Sequence, residues 1–257
     1  MRLLLLLLAL LIVPTSQAQT VTEHITSLGD ADPVTRSRAA CHLSRLRGSA
    51  EAAIPALIAT LGDGRQVEGN VCRGITSRNR WRWTRQLQTP GLLAAEALGN
   101  IGRPSVEPLI AALESEDPIA RENAVRALAD LEDYRSVSPL IEMLSRESDD
   151  AVRAEVASAL GSIEHKDAVP ALVGTLDDDS ALVREQAAWA LGNIESPRAV
   201  DALLQTLQDQ DPVVRERAAW ALGNIEDSRA VDALMVLLED DDVEVRKMAA
   251  WALSQMI

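Results

Sequence analysis

The strongest constraint on this chain is that it copies itself. At an offset of 31 residues the C-terminal half nearly superposes on itself: 184–195 read REQAAWALGNIE, 215–226 read RERAAWALGNIE and 246–253 read RKMAAWAL. Upstream, 153–164 read RAEVASALGSIE, and 121–132 read RENAVRALADLE at a spacing of 32. Residues 93–101 (LAAEALGNI) and 36–46 (RSRAACHLSRL) are more worn copies. Six full units and a terminal half unit follow. Self-similarity at this period is the signature of a solenoid, because one short unit cannot bury its apolar face and needs a stacked neighbour.

Each unit reads as two helices. In the first, Val183, Ala187, Ala190, Leu191 and Ile194 form one apolar stripe at helical spacing, and Val200, Leu203, Leu204 and Leu207 do the same in the second. Asp32, Asp117, Asp149, Ser180, Asp211 and Asp242 hold one column ahead of the first helix, where a side-chain oxygen can cap free N–H groups. Pro33, Pro118 and Pro212 follow at the first helical position, and Ser196-Pro197 is expected to open a second helix in the same way. Gly192 and Gly223 sit near the end of the first helix, where close packing or a tight turn excludes a side chain. The chain is 47% hydrophobic but only 2% aromatic, so Ala and Leu, both strong helix formers, fill the core. The expected fold class is all-α.

Spacing and wording together resemble the HEAT-repeat superfamily, in particular the short bacterial HEAT-like repeats named after phycobilisome lyases. The resemblance spans residues 31–257. It implies a right-handed α-solenoid of about six and a half helical hairpins, with first helices on the convex side and second helices on the concave side. It is specific for fold and says little about function, since such repeats serve many unrelated systems.

The N-terminus reads as an address. Met1-Arg2 is a short positive region, Leu3 to Val13 an apolar run, and Ser16-Gln17-Ala18 offers small residues for cleavage after Ala18. The run is too short for an ordinary membrane span. Residues 1–18 are therefore expected to be a signal peptide and 19–30 a lead-in, giving a secreted or periplasmic product not inserted in the membrane. In such an oxidising compartment the only two cysteines, Cys41 and Cys72, are expected to form a disulfide.

Residues 63–90 interrupt the repeat with Gly, Asn, Arg and Trp. Charge divides there: residues 19–90 carry a net +4, residues 91–257 a net −19, and the whole chain −14. So negative a chain does not suit nucleic acid. Within the loop, Arg80, Trp81, Arg82 and Trp83 have the composition of a binding hot spot, or alternatively of a segment anchored on its own acidic face. An arginine column (Arg36, Arg121, Arg153, Arg184, Arg215, Arg246, with Gly91 the exception) reads as a set of structural pairs with turn carboxylates or, less simply, as a binding stripe. A tryptophan column (Trp189, Trp220, Trp251) reads as indoles covering the seam between first helices, or as a sticky ladder for a partner. On the concave side, Glu107, Glu142, Asp201, Gln205, Asp232 and Glu239 make an acidic groove suited to a basic partner.

Catalytic signals are absent from the sequence. The three histidines (His24, His42, His165) do not recur at matching positions, unlike the His-Glu pairs of the HEAT-repeat deoxyhypusine hydroxylases, and no nucleophile set, phosphate loop or CxxC motif is present. No catalysis, cofactor or metal is expected. The function expected is an extracytoplasmic interaction scaffold or adaptor for a protein or peptide partner of basic character. A regulatory or chaperone-like subunit of an envelope enzyme is the first alternative, and an enzyme related to the HEAT-like lyases or hydroxylases the second.

Overall fold

Five of the first helices start on an aspartate in the turn ahead of them. Asp32, Asp149 and Asp242 each accept two backbone N–H groups of the first turn, and Asp117 and Asp211 accept one. Ser180 departs from this expectation: it holds the cap position without a side-chain hydrogen bond, and its own N–H donates to Asp178.

The computed structural model describes residues 15–68, 71–72 and 88–256. Fourteen α-helices are found among them: α1 (Thr15–Leu28), α2 (Pro33–Leu46), α3 (Ile54–Thr60), α4 (Pro90–Ile101), α5 (Val106–Ala112), α6 (Pro118–Leu131), α7 (Val137–Arg146), α8 (Asp150–Ile163), α9 (Val169–Thr175), α10 (Ala181–Ile194), α11 (Val200–Thr206), α12 (Pro212–Ile225), α13 (Val231–Leu237) and α14 (Val243–Gln255). The fold is an all-α solenoid of paired helices. Its one departure among the described residues is an isolated antiparallel bridge between Val67 and Gln88.

The second helices do not start as Ser196-Pro197 suggested. A 3-10 turn precedes α5, α7, α9, α11 and α13, and Ser196 is buried at the head of one of these turns with no side-chain cap bond. The lead-in is also more than a linker. Residues 19–28 belong to α1, which packs on α2, and the expected cleavage point after Ala18 falls in its first turns.

Two compact units divide the chain, one ending at Ala127 and the other beginning at Leu128, inside α6. In the first, α2 packs along α4, and α3 closes on α4. In the second, α8, α10, α12 and α14 pack in succession, with α7, α9, α11 and α13 each closing on the following first helix. The apolar stripes read from the sequence form the core: Val183, Ala187, Ala190, Leu191, Val200 and Leu203 are fully buried.

Candidate binding face

The arginine column is a chain of turn staples. Arg184, on α10, donates from Nε to Asp209 Oδ2 (2.7 Å) and from Nη2 to Asp209 Oδ1 (2.9 Å). Its Nη1 donates to the carbonyls of Asp178 (2.9 Å) and Asp179 (3.2 Å), so one guanidinium ties the turn entering its hairpin to the turn leaving it. Arg153 binds Asp178, and Arg215 binds Asp240, through the same pair of nitrogens. Arg246 donates to the carbonyls of Asp240 and Asp241. Each aspartate thus takes one arginine on its carboxylate and the next on its carbonyl. Burial would raise the Asp209 and Asp178 carboxyls, but their arginine partners and the amides of Asp211 and Ser180 hold them below the usual range. Asp240 is held low chiefly by Arg215. Planar, bidentate geometry is why this column needs Arg rather than Lys.

Gly91 is the exception to the column for a packing reason. A Cβ there would lie 2.3 Å from the Leu61 carbonyl oxygen, and Asn123 donates to that same oxygen at 2.8 Å. The Gly91 N–H bonds the Asp63 carbonyl, while the Asp63 carboxylate is held by Arg36 and Arg65.

The tryptophans cross the seams. A Cβ placed on Gly192 would meet Trp220 Cζ3 at 2.6 Å and Ala221 Cα at 2.8 Å, and Gly223 stands in the same relation to Trp251 and Ala252. Trp189 lies over Gly161 in the same way. Trp189 and Trp220 are half-buried, and Trp251 is 37% exposed. The Arg217 guanidinium stands 5.8 Å from the Trp220 ring and pairs with Glu185.

The positions read as an acidic groove, Gln205 among them, fall on or just after the second helices, and all are exposed: Glu107 on α5, Glu142 on α7, Asp201 and Gln205 on α11, Asp232 on α13, and Glu239 beyond it. They are not equivalent. Arg229 donates to Asp201 (2.8 Å) while also binding Asp227 and the Pro197 carbonyl, which neutralises the acid at that point. Glu142, Asp232 and Glu239 carry no ion pair among the described residues.

Cys41 and Cys72 are joined in a disulfide, with Cα atoms 5.7 Å apart. Together with the Val67–Gln88 bridge, and the Val71 N–H donating to Gln88 Oε1, this ties the ends of the 63–90 insertion to the first unit. Arg80, Trp81, Arg82 and Trp83 lie outside the described residues. A feature that sequence reasoning missed is the stacked pair His24 and His42, on α1 and α2, with ring centroids 4.7 Å apart. Burial and the neighbouring His42 lower the His24 pKa against a smaller opposing effect of Glu23. Neither periodicity nor spacing paired these residues, because α1, which carries His24, has no counterpart in the repeat.

No group of three or more His, Cys, Asp or Glu among the described residues is arranged to hold a metal, and no described helix is long and apolar enough to cross a membrane.

The sequence profile of HEAT repeats matches residues 92–154, 137–210 and 200–257. A designed armadillo repeat protein in complex with the peptide (KR)4 is 20% identical, with 91% of this chain and 98% of that one covered at a TM-score of 0.53. An engineered protein from a structural-genomics consortium is 24% identical, covering 92% of this chain and 96% of its own, with a TM-score of 0.51. The complex of CpcE and CpcF of phycocyanin lyase from Nostoc sp. PCC7120 is 24% identical, covering 91% and 93%, with a TM-score of 0.48. No curated protein matches the sequence.

Proposed function

This chain belongs to the HEAT-repeat family, and on that premise we propose that it is a non-catalytic scaffold, working outside the cytoplasm, that captures a basic segment of a partner protein on the acidic face of its second helices. A repeat scaffold of this kind supports a protein-interaction role. The observation that carries the finer reading is the contrast between two sets of acids. Asp178, Asp209 and Asp240 in the turns are each bound by an arginine, whereas Glu142 and Asp232 on the second helices and Glu239 just past α13 stand exposed with no ion pair among the described residues. Unpaired carboxylates on an exposed face attract cationic segments and repel phosphate and anionic lipid. The similarly folded designed armadillo protein was solved with a (KR)4 peptide; for this chain the same peptide chemistry rests on its own charge.

Export rests on the apolar run 3–13, the Ser16-Gln17-Ala18 site and the Cys41–Cys72 bridge, a bond that oxidising compartments preserve. Mass spectrometry of the protein from its native compartment is expected to find Gln19 as the first residue; an intact Met1 terminus on a cytosolic product would end that part of the reading.

To test the face, labelled (KR)4 and (DE)4 peptides are titrated onto the protein at low and high salt. Binding of the basic peptide alone, weakening with salt, is expected. The double variant Asp232→Lys/Glu239→Lys should weaken it about tenfold, or 1.4 kcal/mol. Equal affinity for both peptides would reject the reading.

A further inference from the structure

The acidic face is not uniform, and its irregularity lies between α7 and α9. The spacing from Arg121 to Arg153 is 32 residues, one more than from Arg153 to Arg184, and α7 runs ten residues where α9, α11 and α13 each run seven. On α9, Gly174 occupies the position held by Gln205 on α11 and Val236 on α13. A Cβ built at Gly174 meets no atom within 4 Å, so nothing fills the space. The result is a solvent-open recess of about 440 Å³ between α7 and α9.

Its chemistry is selective. Ile141 and Ala171 contribute apolar wall, and Glu142, Asp177 and Asp178 contribute carboxylates. The other polar groups are already used: the Ser145 hydroxyl donates to the Glu142 carbonyl, the Thr175 hydroxyl donates to the Ala171 carbonyl, and the Asp178 carboxylate is bound by Arg153 and the Ser180 N–H. Glu142 and Asp177 are exposed and carry no ion pair among the described residues. An anionic or purely apolar occupant would leave these two carboxylates unmatched. An occupant with a hydrocarbon stem and a cationic head matches both wall and rim.

We propose that this recess is the anchoring subsite for one lysine or arginine side chain of a basic partner segment, its stem against Ile141 and Ala171 and its head between Glu142 and Asp177. The subsite rests on the basic-partner reading above and adds to it a defined position.

The test uses the full chain and labelled (KR)4 as probe. Gly174→Gln fills the recess without removing charge and replaces a helical glycine with a better helix former, so its thermal midpoint should be unchanged or raised. Its affinity for (KR)4 should nonetheless fall about tenfold. Glu142→Gln/Asp177→Asn should weaken binding by a similar factor. Glu164→Gln/Glu195→Gln removes as much charge from exposed turns outside the recess and should change affinity less than about twofold. If (KR)4 binds the unaltered protein and Gly174→Gln binds it equally well, the subsite is overturned while the basic-partner reading stands. If both double variants weaken binding alike, attraction is diffuse and the subsite is again overturned. If the unaltered protein does not bind (KR)4, the basic-partner reading fails and the subsite with it.

Discussion

Gly192 and Trp220 act as one device. The glycine lets two first helices approach until the next indole lies on bare backbone, and a methyl group there would collide with both the ring and Ala221 Cα. Gly192→Ala is expected to destabilise the protein by about 1–3 kcal/mol, because neither a helix backbone nor a half-buried ring can shift freely; chemical denaturation of the variant measures this. The sequence offered close packing or a tight turn as reasons for this glycine, and packing is the one realised. The turn itself falls three residues on, at Glu195, whose φ is 51°, with Glu132, Glu164 and Glu226 in the same left-handed conformation. A turn signal read from glycine therefore pointed to the wrong residue, since a side chain that faces solvent tolerates this backbone at a cost of about 1–2 kcal/mol.

The hairpin is the element that the arginine chain holds together. Arg184 and Asp209 have side chains only 8% and 10% exposed, so losing one partner strands a shielded charge. Arg184→Ala is expected to cost about 3 kcal/mol, and Arg184→Ala combined with Asp209→Leu less than the sum of the two single losses, as a double-mutant cycle in denaturant would show. The same pairs set an acid limb. Asp63, Asp178, Asp209 and Asp240 are all held below their ordinary values, so the folded state binds their protons less readily than the unfolded chain does. The stability they contribute is complete above the ordinary aspartate pKa of about 3.9 and is lost as pH falls below it. Thermal midpoints measured from pH 6 to pH 2.5 should decline over that lower window; a flat profile would contradict the assignment. The repeated Arg column was legible in the sequence. Its partners, 25 residues further along at Asp178, Asp209 and Asp240, were not singled out, because only the stacking of turns brings them together.

At the scale of the whole molecule, each hairpin depends on its stacked neighbours within its own unit, so local changes have local effects. The Cys41–Cys72 bridge closes a separation of 31 residues and should stabilise the first unit by about 3–4 kcal/mol in the chain-entropy account. Cys41→Ser/Cys72→Ser is expected to speed hydrogen exchange across α1–α4 and to leave the exchange of α10–α14 unchanged. The period, the helix pairs and the apolar stripes were determined by the sequence alone, because they follow from side-chain spacing along one helix and from near-identical copies that must stack to bury the same face. Which acids are neutralised, where a missing side chain opens a recess, and what α1 packs against were decided only in three dimensions. Each depends on contacts between residues far apart in the chain, and a one-dimensional periodicity carries no information about the few positions where the copies differ.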